Sequence, residues 1–137
     1  MILVDTNVWS ELVKAAPEPK VRAWEMQNAE QLWLAATVIG ELLSGVALMS
    51  EGKRKTSLTA TYEQILEVHY DRLAEFDLSA ARHYADVIAL LEQAGRNPKT
   101  ADAQIAATAL ANGMMLATRN VKDFEGLGIE LINPWDG

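Results

Sequence analysis

The 137-residue chain is half hydrophobic and has no cysteine, which excludes a disulfide framework, a zinc ribbon and a thiol nucleophile and leaves any chemistry to oxygen and nitrogen groups. Nineteen acidic side chains against twelve basic ones give a net charge of −7, which weighs against nucleic acid as a partner unless several acids are gathered around divalent cations that change the local sign. The length suits one domain over residues 1–137, and no apolar run approaches the ~20 residues of a membrane span, so a cytoplasmic protein without membrane association is expected.

Met1-Ile2-Leu3-Val4 is an unbroken apolar run of the kind found in a central parallel strand buried on both faces. A carboxylate, Asp5, ends it, and Thr6 or Asn7 is suited to open a helix over residues 8–13. A charge at the carboxyl end of a buried strand stands where open α/β sheets bind ligands, so Asp5 reads as the first member of an acidic metal cluster. After the break around Pro17 and Pro19, Val21 and Trp24 mark a short helix, and residues 31–36 a second buried strand. Thr37 is suited to cap a helix over residues 38–50, along which Val38, Glu41, Gly45 and Leu48 share a stripe. Glu41 is then either a boundary residue whose carboxylate reaches water or a ligand with room made for it by Gly45.

Lys53-Arg54-Lys55, the densest basic run, reads as a solvated loop, with phosphate contact as the alternative. Residues 57–68 continue as a helix, and residues 72–76 alternate as a short third strand. Asp77 or Ser79 caps a long helix that stops at Gly95, with Ala81, Tyr84, Ala85, Ile88 and Leu91 as its apolar stripe. Thr100 opens an almost wholly apolar, hence buried, helix over residues 101–112. Asp102 in its first turn either complements the helix N-terminus or binds a ligand. Residues 114–117 form the fourth strand and run straight into Thr118-Arg119-Asn120-Val121-Lys122-Asp123-Phe124. A last strand over residues 129–132 precedes Trp135, expected to close the core as a lid. Strands alternating with helices, joined by connections too long for hairpins, predict an α/β domain with a mostly parallel sheet of about five strands flanked by helices.

Loops that follow parallel strands emerge on one edge, so Asp5, Glu41 and Asp123 are expected to be neighbours, and Asp102 joins them if its helix starts beside that edge. Carboxylates a few ångströms apart repel by about 1 to 4 kcal/mol per pair, which hard cations such as Mg²⁺ or Mn²⁺ relieve. A site of this kind suits phosphodiester hydrolysis by metal-activated water. Thr6, Asn7, Thr118 and Asn120 are placed to orient the acids or metal-bound waters. Arg96, Lys99, Arg119 and Lys122 flank the acids and are candidates for holding a nucleic-acid backbone, or are plain surface charges. His69 and His83 lie near neither acid cluster in sequence, Asn7 occupies the place where an aspartyl-phosphatase would want its second acid, and no glycine-rich phosphate loop is present.

The runs Met1-Ile2-Leu3-Val4-Asp5-Thr6-Asn7, Thr37-Val38-Ile39-Gly40-Glu41-Leu42, Thr100-Ala101-Asp102-Ala103-Gln104-Ile105-Ala106-Ala107-Thr108-Ala109 and Ala117-Thr118-Arg119-Asn120-Val121-Lys122-Asp123-Phe124 together resemble the PIN-domain ribonucleases. Within that family the chain looks most like the VapC/FitB-type toxins of bacterial type II toxin–antitoxin modules, and Asn133-Pro134-Trp135 is similar to the FitB branch. The resemblance covers essentially the whole chain. It implies a PIN-like fold and Mg²⁺-dependent endoribonuclease activity, with Asp5 and Asp102 as principal metal ligands, Glu41 as a third acid and Asp123 completing the cluster. It further implies a homodimer neutralised by a cognate VapB/FitA-type antitoxin, with operator DNA bound only through that antitoxin. A DNA-directed flap-type nuclease and a catalytically idle PIN module that only binds are the two alternatives from other classes.

Overall fold

In the computed structural model, which describes residues 1–136, the aliphatic opening run becomes the middle strand of the sheet. That strand, β1 (Ile2–Val4), is apolar at every position and no side chain in it is more than 3% exposed. Its neighbours are β2 (Leu32–Ala35) and β4 (Met115–Ala117), with β3 (Leu73–Ala74) outside β2 and β5 (Leu131–Ile132) outside β4. The order is therefore β3-β2-β1-β4-β5, and all four pairings are parallel.

Register decides where the chemistry falls. Ile2, Leu3 and Val4 stand opposite Met115, Leu116 and Ala117, so β1 and β4 end level with each other and Asp5 and Thr118 leave the sheet side by side. The Asp5 amide still donates to the Ala117 carbonyl at 2.9 Å, and the Thr118 amide to that of Ile132 at 2.9 Å.

Among the described residues six α-helices join and flank the strands: α1 (Thr6–Leu12), α2 (Pro19–Asn28), α3 (Ala36–Ala47), α4 (Lys53–Val68), α5 (Leu78–Gln93) and α6 (Thr100–Asn112). α6 is the buried one. Ala103, Ile105, Ala106, Ala107 and Ala109 are all at most 1% exposed, and the small alanines let α6 lie close against α5, the most extensive packing between any two elements. Gly113, in the left-handed region at φ 62°, ends it, with the Met114 amide donating back to the Ala109 carbonyl at 2.9 Å. Around the sheet, Leu3, Leu32, Leu34, Ile105 and Leu116 form the centre of the core; full burial of each such side chain is worth about 1.5–3 kcal/mol.

Several local expectations shift. Asp5, rather than Thr6 or Asn7, is the cap of α1. Thr37 caps nothing: α3 begins at Ala36, and the Thr37 hydroxyl donates to Gln104 Oε1 at 3.3 Å. The buried face of α3 is Val38, Leu42 and Val46, while Leu48 is 88% exposed and Gly45 faces open space, so Glu41 borders the apolar face and Gly45 makes no pocket for it. Lys53-Arg54-Lys55 is the first turn of α4 and not a loop, and the third strand shrinks from residues 72–76 to two residues. On α5 the buried positions are Ala80, Val87 and Leu91; Ala81 and Ala85 face solvent because the helix turns its 80/87/91 face to α6.

Candidate active site

Asp5 is placed by two constraints at once, the end of β1 and the start of α1. Its extended backbone, φ −70° and ψ 157°, is what a helix cap requires, and its Oδ1 accepts from the Thr6 amide at 2.8 Å. Oδ2 accepts from the Thr118 hydroxyl at 2.8 Å and from Asn7 Nδ2 at 3.3 Å. The side chain is thus fixed by donors from the first turn of α1 and from the residue that follows β4, and Asp5 is only 5% exposed. Burial is the main reason its carboxyl is pushed up from 3.8 to about 6; the bonds from Thr118 and Thr6 oppose the rise, and the nearby carboxylates of Asp102 and Glu41 add to it.

Thr6 serves two acids. While its amide holds Asp5, its hydroxyl donates to Glu41 Oε1 at 2.6 Å, tying the second turn of α3 to the start of α1. Asn7 ties α1 to the loop after β4, since its Nδ2 reaches Thr118 Oγ1 at 3.4 Å and its Oδ1 accepts from the Arg119 amide at 3.3 Å. Asn120 contributes through its backbone, whose amide donates to Thr118 Oγ1 at 3.1 Å. All four polar residues predicted beside the acids are therefore in the network around Asp5.

Asp102, half-buried in the first turn of α6, stands between two adjoining clefts. One, of about 390 Å³, is lined by Asp5, Glu41 and Asp102 together with Lys14, Arg119 and Trp135. The other, of about 250 Å³, has Asp102, Asp123, Arg96, Lys99 and the buried Phe124 on its walls. Burial raises the Asp102 carboxyl above its ordinary range; the Asp123 carboxylate adds to this, Lys99 works against it and Glu41 adds again. Asp102 and Glu41 both raise the Asp5 carboxyl, and Asp123 and Glu41 both raise that of Asp102; Asp123 itself is exposed in a 3₁₀ turn (Val121–Phe124). Three of the four acids line one cleft, whereas Asp123, expected beside Asp5 and Glu41, lines the adjoining one with Asp102 because the loop after β4 carries it past the start of α6.

Among the described residues no three acid or histidine side chains stand close enough to form a ready-made metal cage. The donor set nevertheless suits a hard cation. It is made of carboxylate oxygens, and Mg²⁺ keeps several waters while taking only one or two carboxylates directly, so a closed cage is not what it needs.

Cations form the rim. The exposed Arg119 guanidinium lies 4.9 Å from the centroid of Trp135, which packs partly buried against the core. Lys14 pairs with the buried Glu11 at 2.9 Å, and Glu11 also accepts from the Glu18 amide at 3.0 Å. Lys14 and Trp135 are cleft residues that the sequence reading misses; the i, i+3 spacing of Glu11, in α1, and Lys14, just past its end, is the available signal for the first. Lys99 and Lys122 are exposed beside Asp102 and Asp123, whereas both Arg96 terminal nitrogens donate to main-chain carbonyls, of Glu125 at 2.6 Å and Lys122 at 2.9 Å. Lys55 is paired with Glu51 at 2.8 Å, and Arg54 lines a separate groove between α1 and α4. His69 stacks edge-on against Trp9 with Nδ1 2.8 Å from the Ile65 carbonyl, and His83 sits 2.9 Å from the Ser79 carbonyl, so neither histidine reaches the acids.

Residues 2–128 match the family model described as the PIN domain. A VapC ribonuclease of Sinorhizobium fredii is 45% identical, with 99% of each chain covered. Toxin FitB of Neisseria gonorrhoeae is 37% identical over 98% of this chain and 99% of its own length. The crystal structure of FitAcB from Neisseria gonorrhoeae superposes with a TM-score of 0.91 at 37% identity, covering 98% of this chain and 99% of that one.

Proposed function

This chain belongs to the PIN-domain family, and on that footing we propose that it is a ribonuclease toxin of the VapC/FitB type, a divalent-metal-dependent endoribonuclease formed by a single PIN domain over residues 1–137. The observation that carries the reading is the meeting of Asp5, Glu41 and Asp102, from three separate elements, in one cleft where the Asp5 carboxyl is pushed up to about 6. Carboxylates gathered at such a cost are suited to a cation, and Mg²⁺ or Mn²⁺ fits their oxygen donors. Asp5 and Asp102 would hold it, with Glu41 beside them and Asp123 at the edge. The chemistry supplied by such a cation, when bound, would be a lowered pKa for water and neutralisation of charge on the phosphodiester.

The chain's own residues supply the rest. Thr118, Thr6 and Asn7 keep Asp5 in a single orientation, and Thr6 does the same for Glu41. Lys99 and Arg119 line the two clefts where a phosphate backbone would cross, with Lys122 exposed next to Asp123 in the chain, and they offset locally the net charge of −7. The likeness to FitB and VapC supports the setting we propose for it: a cytoplasmic homodimer, neutralised by a cognate VapB/FitA-type antitoxin and reaching operator DNA through that antitoxin.

The test is cleavage of single-stranded RNA by the antitoxin-free protein, with Mg²⁺ and with EDTA, wild type against Asp5→Asn. RNA should be cut by the wild type only when Mg²⁺ is present, Asp5→Asn should be inert, and an equimolar antitoxin should stop the reaction. Cleavage that survives EDTA, or preference for flap DNA over RNA, would overturn the proposal. A wild type that binds RNA without cutting it would favour an idle binding module.

A further inference from the structure

The guanidinium of Arg96 lies on the wall of the Asp102–Asp123 cleft, yet both of its terminal nitrogens are already engaged by the protein itself. Nη1 donates to the Glu125 carbonyl at 2.6 Å and Nη2 to the Lys122 carbonyl at 2.9 Å. Those two carbonyls bracket Asp123 and Phe124, the last residues of the 3₁₀ turn. The other end of the bridge is equally fixed. Past α5 the chain closes a Schellman turn: Gly95, at φ 69°, donates its amide to the Glu92 carbonyl at 3.0 Å, and the Arg96 amide donates to the Leu91 carbonyl at 2.9 Å. Leu91 is a core residue, 6% exposed, so the root of the Arg96 side chain is anchored to the packed α5–α6 pair.

We propose that Arg96 is a positioning residue, a clamp that holds the Asp123 turn against the start of α6 so that the Asp123 carboxylate stays within reach of Asp102. The inference rests on the nuclease reading of the site and deepens it. A short turn with an exposed acid has few apolar neighbours of its own; Phe124, 2% exposed, anchors one end and the arginine fork fixes the carbonyls on either side. A planar fork with two parallel donors suits two adjacent carbonyls, and a cation is electrostatically favoured at the C-terminal carbonyls of a helical turn. With two of its five N–H donors held by main-chain carbonyls, the Arg96 guanidinium is fixed against the turn rather than free to swing toward RNA phosphate. This separates it from Lys99, Arg119 and Lys122.

The two roles leave different traces. Removing a side chain that grips phosphate raises KM and lowers the salt dependence of kcat/KM by about one charge's worth. Removing a clamp leaves both alone and lowers kcat, by about tenfold to a hundredfold on the scale of outer-shell substitutions at metal sites. Arg96→Ala should therefore reduce kcat with KM and salt slope unchanged, and should add nothing in an Asp123→Asn background. Arg96→Lys, a point charge in place of a fork, should fall between wild type and Arg96→Ala.

Two readouts do not depend on cleavage. In the metal-free protein, amide hydrogen exchange over residues 121–125 should quicken on Arg96→Ala while α6 stays protected, and calorimetry should show weaker Mg²⁺ binding. Unchanged exchange over residues 121–125, or a rise in KM with a smaller salt slope, would overturn the clamp. Absence of RNA cleavage by the wild type would instead overturn the nuclease reading, with the exchange experiment still deciding the clamp.

Discussion

Asp5→Asn offers a measurement of the cleft that is independent of catalysis. With its carboxyl moved from 3.8 to about 6, Asp5 favours the folded state only while it is protonated. The raised folded-state value means that the folded protein holds this proton more tightly than the unfolded chain. The associated stability is complete below about pH 3.8 and is lost as pH rises through about 6. A shift of this size corresponds to about 3 kcal/mol at neutral pH, as an upper bound for a single buried group. Asparagine has no such proton to lose, though it forfeits one acceptor toward Thr118 and Asn7, a roughly pH-independent loss of about 1 kcal/mol. Urea unfolding of both proteins in EDTA from pH 4.5 to 7.5 isolates the pH-dependent part. The difference in stability between Asp5→Asn and wild type should move by roughly 2 kcal/mol in favour of the variant across that range. Parallel curves would mean that Asp5 is not held at such a cost, and the case for an acid cluster awaiting a cation would lose its energetic basis.

Thr118→Val keeps the shape of a fully buried side chain but removes the 2.8 Å bond to Asp5 Oδ2; cleavage should fall about tenfold to a hundredfold, with Mg²⁺ titration showing a weaker half-point. Thr6→Val frees Glu41 from its 2.6 Å donor, and about a tenfold loss of kcat is expected with the melting temperature almost unchanged. Arg119→Ala should flatten the dependence of kcat/KM on salt by about one charge, and an unaltered slope would take Arg119 out of the substrate path. Saturating Mg²⁺, at a hundred times its Kd, should stabilise the wild type by about 2.7 kcal/mol and leave Asp5→Asn nearly unmoved, as followed by thermal unfolding.

How much of this could be read from the chain depended on whether side chains or main chain carry the information. Asp5 was legible because a carboxylate interrupts an aliphatic run, and parallel registry alone then brings Thr118 beside it, since β1 and β4 end level. The place of Asp102 followed from α6 having to start at the edge where β4 ends. Glu41 was placed in the cluster, but the stripe that pointed to it was not the buried one: Leu48 and Gly45 face outward, and what brings Glu41 inward is the Thr6 hydroxyl. Three cations in the first turn of α4 argue locally for a loop because they oppose the helix dipole; packing against α3 overrides that preference. The Arg96 clamp left no trace in the sequence at all. Its partners are carbonyl oxygens, which every residue has.

The acids of the cleft also link stability to the affinity for a cation or a basic partner. Ending β1 with an aliphatic residue would extend the core, and the protein instead keeps Asp5 there, 5% exposed and facing two further carboxylates. The free energy by which Asp5, Glu41 and Asp102 disfavour one another in the free protein is available to whatever positive group enters the cleft. A divalent cation draws on it, and so does any basic side chain that a neutralising partner presents to the same oxygens. Affinity for either is thus set partly by how poorly the acids tolerate standing alone, and any change that eases that repulsion weakens both. The substitution expected to make the metal-free protein most stable near neutral pH, Asp5→Asn, is for that reason expected to be the one that binds cation least and cleaves least.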